Sequence, residues 1–264
     1  MKTALTIAGS DSGAGAGIQA DLKTFAAFGV YGTSAITALT AQNTTGVTGI
    51  HPVPAEFVTQ QIEAVVTDLG CDAVKTGMLA SAAIVEAVAA AVEALELPNL
   101  VVDPVMVAKS GDRLLADDAV HTVTTVLLRL ARVVTPNVPE AEALAGMEIR
   151  TVADMREAGR RLLARGPAAV LVKGGHLPGD ELVDVLVERH GVTELAGPRV
   201  AGPHTHGTGC TFASAVTAGL ALGQPLDAAA RAAKAYVAGA MAAGIPLGRG
   251  HRPLGHFWRV ILRD

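Results

Sequence analysis

Gly207-Thr208-Gly209-Cys210-Thr211 opens a stretch, Phe212-Ala213-Ser214-Ala215, whose composition is helical. Two glycines let the backbone turn so that successive N–H groups converge on one point, and a helix start adds partial positive charge there. Such a concavity suits the charge spread over a transferring phosphoryl group, where positioning and electrostatics carry most of the catalysis. The same residues also read as a plain glycine-rich helix cap, and the segment alone does not separate the two. In Thr135-Pro136-Asn137-Val138-Pro139-Glu140, an amide and a carboxylate stand three residues apart at a strand-to-helix junction. Asn137 and Glu140 can hold a hydrated Mg²⁺, which takes one or two carboxylates together with phosphate oxygens. They can equally be a helix cap and its capping-box partner. Asp103, followed by Pro104 directly after the apolar Leu100-Val101-Val102, can reach metal or phosphate, or can sit in an ordinary turn.

A fourth segment, Gly9-Ser10-Asp11-Ser12-Gly13-Ala14-Gly15-Ala16-Gly17, is glycine-rich. No Lys-Ser/Thr follows its glycines, so it is not a P-loop, and the G-x-G-x-x-G spacing fails because position 18 is Ile. It remains a loop able to bring backbone close to a flat substrate.

The elements that must position these segments alternate: short β-branched runs, then longer Ala-rich helical patterns, the mark of βαβ units and a mostly parallel sheet. Strands are predicted at 3–8, 34–40, 72–75, 100–102, 132–135 and 168–173. Helices are predicted near 17–28, 54–68, 81–97, 116–130, 139–146, 151–165, 208–222 and 226–243, with a short terminal helix. Leu182–Glu188 and Gly191–Leu195 read as a hairpin, which adds an antiparallel edge. Gly9–Gly17, Asp103–Gly111, Thr135–Glu140 and Lys173–His176 fall just after strands, and open α/β sheets bind ligands outside the carboxyl ends of their strands. The Gly-rich segments 109–113 and 174–181 are candidate flexible covers. No Pro/Gly/Ser-rich linker divides the 264 residues, so one domain spanning 1–264 is expected.

Half the residues are hydrophobic but only 3% are aromatic, so the core must be packed from Ala, Val, Leu and Ile. A net charge of −4 with no basic cluster argues against a nucleic-acid or anionic-membrane partner. The apolar start Met1–Ala8 ends at Gly9, too short for a signal peptide, and no run approaches the ~20 residues that span a bilayer. Cys71 and Cys210 are too few for a disulfide framework and point to a reducing compartment, with cytoplasmic as the expectation. His204, His206, His251 and His256 lack the ligand spacing of a zinc site.

Taken together, the order and wording of these segments resemble the ribokinase-like superfamily. Within it they resemble the hydroxymethylpyrimidine/phosphomethylpyrimidine kinases of thiamin biosynthesis. The resemblance is carried by Ala8-Gly9-Ser10-Asp11, Gln19-Ala20-Asp21-Leu22-Lys23-Thr24-Phe25, Thr40-Ala41-Gln42-Asn43-Thr44 and Lys75-Thr76-Gly77-Met78-Leu79. It continues through Asp103-Pro104-Val105-Met106, Thr135-Pro136-Asn137, Lys173-Gly174-Gly175-His176 and Gly207-Thr208-Gly209-Cys210-Thr211. It implies a doubly wound, ribokinase-like sheet flanked by helices, and an ATP- and Mg²⁺-dependent kinase acting on an aminopyrimidine alcohol and then on its monophosphate. It also implies a homodimer.

Residue by residue, the resemblance makes Gly207, Thr208 and Gly209 the anion hole. Gln42 would read the aminopyrimidine, Gly9, Met78 and Val107 would line its pocket, Lys173 and Asn137 would lie near the ATP phosphates, and Asp103 and Glu140 near Mg²⁺. Cys210 stands where the wider superfamily has an Asp base. A carboxylate roughly 4 Å from a phosphate acceptor costs on the order of 1–4 kcal/mol in repulsion, which a neutral thiol avoids. For the alcohol step the helix start is expected to lower the Cys210 pKa toward a thiolate base. The nearest rival is a pyridoxal kinase of the same superfamily; a non-catalytic metabolite-binding regulator is the rival of another class.

Overall fold

Buried apolar runs too short for helices form the central strands, and helices connect most of them. The computed structural model describes residues 1–106 and 117–259. Strand β1 (Thr3–Asp11) leads through the glycine loop into α1 (Gly17–Ala27), and β2 (Tyr31–Asn43) and β3 (Gly46–Pro52) form a hairpin. Helix α2 (Ala55–Asp68), β4 (Ala73–Thr76), α3 (Ala82–Ala94) and β5 (Leu100–Val102) follow. Next come α4 (Asp117–Thr122), β6 (Val133–Val134), α5 (Val138–Ala145), α6 (Val152–Leu163) and β7 (Ala169–Val172). The chain closes with β8 (Glu181–Glu188), β9 (Gly191–Pro198), β10 (His204–His206), α7 (Thr208–Ala221), α8 (Leu226–Ala242) and β11 (Arg252–Pro253).

The caps are local chemistry. Ser81 accepts from the Ile84 N–H at the start of α3, whose Ile84, Val85, Val88 and Val92 form a buried stripe. Thr151 and Asp154 make a capping box for α6, and Arg160 and Arg161 complement its C-terminal dipole. Helix α7 is buried on every side from Thr211 to Ala221. Only small side chains allow that: a Cβ at Gly219 would press within 2.7 Å of Ala229 on α8.

Among the described residues nine strands form one sheet in the order β3-β2-β1-β4-β5-β6-β7-β8-β9. The pairs from β2 to β7 are parallel, and β2–β3, β7–β8 and β8–β9 are antiparallel. Alternate residues of each central strand serve opposite cores: Val74, Val102 and Val134 pack under the α2–α4 side, while Ala73, Val101 and Val133 pack under α7 and α8. The order runs outward in both directions from β1, so the chain reverses there, and the cleft at the carboxyl ends of β1, β4 and β5 is the expected ligand crevice.

Three expectations change. Strand β1 continues through Gly9 and Ser10 to Asp11, because β2 pairs with it as far as Thr40 across a bulge between Ala8 and Ser10. A second antiparallel edge, β3, was hidden because its residues are mostly exposed and carry no buried alternation. The helix expected over 116–130 is α-helical only to Thr122, then π-helical over Val123–Leu127 and 3₁₀ over Leu128–Leu130. Val107 and the Gly-rich cover 109–113 lie outside the described residues, as does most of the expected terminal helix, which begins as a turn at 256–259.

Candidate active site

The sheet brings the predicted polar segments to one end. At the phosphate side, Asp103 follows β5 and Lys173 follows β7, and their side chains pair at 2.9 Å. Thr135, after β6, donates to the same Asp103 oxygen at 3.3 Å. The other oxygen, Oδ2, is buried and has no hydrogen-bond partner among the described residues. A Cβ built on Gly209 would stand 3.5 Å from Lys173 Nζ and 3.8 Å from that orphaned oxygen, so the glycine-rich helix start faces both groups. Burial opposes the Lys173 charge, but Asp103 and Glu140 outweigh it and hold the ammonium above its ordinary value.

Asn137 and Glu140 form the capping box that the spacing allowed: the Glu140 N–H donates to Asn137 at 2.9 Å, and the Asn137 N–H donates to Glu140 at 2.8 Å. Capping does not exhaust Glu140. It is only 7% exposed, and burial, with Asp103 adding to it against the pull of Lys173, pushes its carboxyl up to about 7. The bridge Asn137↔Lys173 ties the two loops together. A buried carboxylate oxygen without a donor, beside a second carboxyl that resists ionising, is a donor set a hard dication fits; Mg²⁺ would draw on Asp103, Glu140 and phosphate oxygens. Among the described residues no three His, Cys, Asp or Glu side chains converge as a metal cluster.

Helix α7 begins from Gly207, whose φ of +83° is left-handed, and no side chain among the described residues caps it. Of the first four helical N–H groups, only that of Thr211 finds a partner among the described residues, the Gly207 carbonyl. The N–H groups of Thr208, Gly209 and Cys210 are therefore left for a ligand. Beside them lies the glycine loop. A Cβ at Gly207 would collide with the Gly15 carbonyl.

Of the residues expected on the substrate side, Gly9 and Met78 meet. The Gly9 N–H donates to the Met78 carbonyl at 3.1 Å, and a Cβ at Gly9 would stand 3.1 Å from the Met78 sulfur. Gln42 sits at a bulge in the β2–β3 ladder, where Ser12 accepts its backbone N–H and donates back to its carbonyl. Thr40 donates to the Gln42 side-chain oxygen at 3.1 Å, so the amide NH₂ is presented as the donor.

One expectation is overturned. The Cys210 thiol is not activated by the helix start: burial pushes it up to about 11, and the nearby Lys75 ammonium does not reverse this. The reason is that Lys75 is committed elsewhere. It lies fully buried at the end of β4, paired with Asp21 of α1 at 2.9 Å, and Asp21 also accepts from Thr6 at 2.7 Å and Ser214 at 2.6 Å. The segment 174–181 is likewise not a free cover, since Arg199 donates to the carbonyls of Gly175, Leu177 and Gly179.

Two buried polar pairs at the helix start went unassigned in the sequence. His206 Nε2 lies 2.8 Å from Asp11 Oδ2, and Thr211 lies 2.9 Å from His256 Nε2. The signal that could have found them was a polar residue in each otherwise apolar or glycine-rich string, but the partners are 195 and 45 residues apart.

The pattern of the family described as phosphomethylpyrimidine kinase matches residues 11–255, nearly the whole of this arrangement. The chain belongs to that family. A hydroxymethylpyrimidine/phosphomethylpyrimidine kinase from Streptomyces coelicolor is 53% identical over 256 residues, 97% of this chain and 94% of the relative. The crystal structure of a phosphomethylpyrimidine kinase from Clostridium difficile is 44% identical, with a TM-score of 0.80 over 90% of this chain and 98% of that one. An ADP complex of Bacillus subtilis pyridoxal kinase is 38% identical, with a TM-score of 0.91 over 98% of each chain. As a phosphomethylpyrimidine kinase family member with the ribokinase-like fold, the chain is a phosphotransferase. Among its described residues no helix is long and apolar enough to cross a membrane.

Proposed function

We propose that the chain, as one domain, transfers the γ-phosphoryl group of ATP to 4-amino-5-hydroxymethyl-2-methylpyrimidine, and then phosphorylates the monophosphate to the diphosphate. The observation that carries this reading is the uncapped start of α7: three open N–H groups, flanked by Lys173 and Asp103, with a neutral thiol where a carboxylate would repel a phosphate acceptor. In this reading Thr208, Gly209 and Cys210 N–H groups receive the transferring phosphoryl oxygens, with Gly207 supplying the turn. Lys173 and Asn137 hold the ATP phosphates. Asp103 and Glu140 would hold Mg²⁺, which neutralises phosphate charge when bound. Gln42 reads the ring nitrogen and exocyclic amine, and Gly9, Met78 and Val107 line the ring pocket. The second acceptor is already anionic and needs no base.

Pyridoxal also carries a hydroxymethyl group on a six-membered nitrogen ring, and the TM-score of 0.91 to a pyridoxal kinase favours testing it as a second reading. ATP turnover measured in parallel with the pyrimidine, its monophosphate and pyridoxal is the test. Transfer to both pyrimidines with the higher kcat/KM is expected. A preference for pyridoxal would replace the pyrimidine reading, and ATP binding without turnover of any of the three would make the chain a binder. We further propose a homodimer formed through the outer strand β3 and its neighbour β2, where Ile50 and Leu39 stay 39% and 49% exposed. Sedimentation of the wild type against an Ile50→Glu/Leu39→Glu variant tests it, with a monomeric wild type refuting it.

A further inference from the structure

Behind Thr211, packing and the contact with His256 hold α7, but the turn that opens it is not bonded to the main sheet. It is preceded by β10, which among the described residues pairs with the two-residue β11 and not with the main sheet. The acceptor side is different: Gly9 and Gln42 lie on β1 and β2, bonded into the nine-stranded sheet. Phosphoryl transfer needs the two sides in register, and glycines alone do not provide it. Gly15 and Gly207 let the loops touch: a Cβ on either would run into His206 or the Gly15 carbonyl. Contact of this kind still permits sliding.

Asp11 and His206 remove that freedom. Asp11 ends β1 and is 2% exposed. Its Oδ1 accepts the Gly13 N–H at 2.8 Å, and its Oδ2 accepts the N–H groups of Gly15 at 3.1 Å and Ala16 at 2.8 Å, besides facing His206 Nε2 at 2.8 Å. Burial works against the Asp11 charge, yet His206 and the Ala16 and Gly13 N–H groups outweigh it and hold the carboxyl below its usual range. An ionised carboxylate only accepts, so Nε2 carries the proton and donates. One carboxylate thereby shapes the whole glycine loop and grips the residue directly before Gly207.

We propose that Asp11 and His206 form a positioning clasp, which holds the anion-binding turn Gly207–Cys210 in register with the loop that presents the acceptor. The clasp acts through the backbone and touches neither the acceptor nor ATP. It rests on the kinase reading above. Because Gly9 and Gln42 are fixed by the sheet, loosening the clasp leaves acceptor binding intact and misplaces the groups needed in the transition state. A displacement near 1 Å in such a site costs about 100-fold in rate.

The test compares His206→Ala with His206→Gln, whose amide keeps an N–H donor for Asp11. His206→Ala is expected to lower kcat by about 100-fold for alcohol and phosphate acceptors alike, with acceptor KM unchanged within about threefold, and His206→Gln to regain about tenfold of the loss. Amide exchange supplies a readout independent of turnover: in His206→Ala it should quicken together at 13–16 and at Thr211, whose N–H bonds the Gly207 carbonyl. A kcat near wild type, a loss that falls on KM, no recovery in His206→Gln, or exchange that quickens in one segment only would each overturn the clasp. A wild type that binds ATP but turns over no acceptor counts against the kinase reading, and the exchange comparison then decides the clasp by itself.

Discussion

In the proposed reaction Cys210 would separate the two phosphoryl transfers, and pH is the perturbation that tests it. With the thiol pushed up to about 11 by burial, the thiolate fraction is about 10⁻⁴ at pH 7 and about 10⁻² at pH 9. If the alcohol acceptor loses its proton to that thiolate, its rate rises about tenfold per pH unit across this window. The phosphate acceptor is already a dianion above pH 7, since its second pKa is about 6. Its rate therefore carries no such slope. Glu140, pushed to about 7, titrates in the same range and would distort either profile alone. It serves both steps, so it divides out of the ratio of alcohol to phosphate kcat. That ratio is expected to climb about 100-fold from pH 7 to pH 9 in the wild type and to stay flat in Cys210→Ala. Steady-state turnover of the two acceptors at matched saturating ATP measures it. A flat wild-type ratio, an equal climb in Cys210→Ala, or equal slowing of both steps by that substitution refutes the role of the thiol.

The remaining expectations concern the buried charges. Glu140 has its folded pKa raised from 4.5 to about 7, so the fold binds its proton more tightly than the unfolded chain does. Its contribution is present below pH 4.5 and is lost as pH rises toward 7, leaving a penalty on the order of 3 kcal/mol at pH 8. Glu140→Gln should therefore raise the urea midpoint at pH 8 and flatten its pH dependence while abolishing turnover; an unchanged pH dependence would show that Glu140 titrates normally. Lys75→Met strands Asp21 between Thr6 and Ser214 without its cation, and should cost about 3–5 kcal/mol in chemical denaturation. Adding Asp21→Asn should recover part of that loss, and equal stability of the single and double variants would mean that the charge of Asp21 is not what suffers.

The parallel centre of the sheet was legible because its strands are buried on both faces, and Leu100-Val101-Val102 or Val170-Leu171-Val172 then read as unbroken apolar runs. The β8–β9 hairpin was legible as two short runs on either side of the two-residue turn Arg189-His190. Strand β3 was not, since an edge strand exposed along most of its length has no burial pattern to betray it. The break of α4 into π and 3₁₀ turns also left no mark, because Val123, Leu127 and Leu128 keep helical spacing while packing sets the pitch.

For the site, the residues by themselves determined which loops hold chemistry. Glycines before a helix, an Asn and a Glu three apart, and an Asp pinned by Pro each require a particular backbone. That requirement is local and is written in the spacing. Tertiary structure decided the charge states. The thiol at position 210 looks activated when only its own helix is considered. Burial beside Asp21 and Asp103, with Lys75 already engaged, makes it a neutral thiol instead. The same holds for Lys173, which turns out to be held by Asp103, and for His206, which grips Asp11 across 195 residues. Desolvation and pairing depend on what arrives from elsewhere in the chain, and no spacing within a motif encodes that.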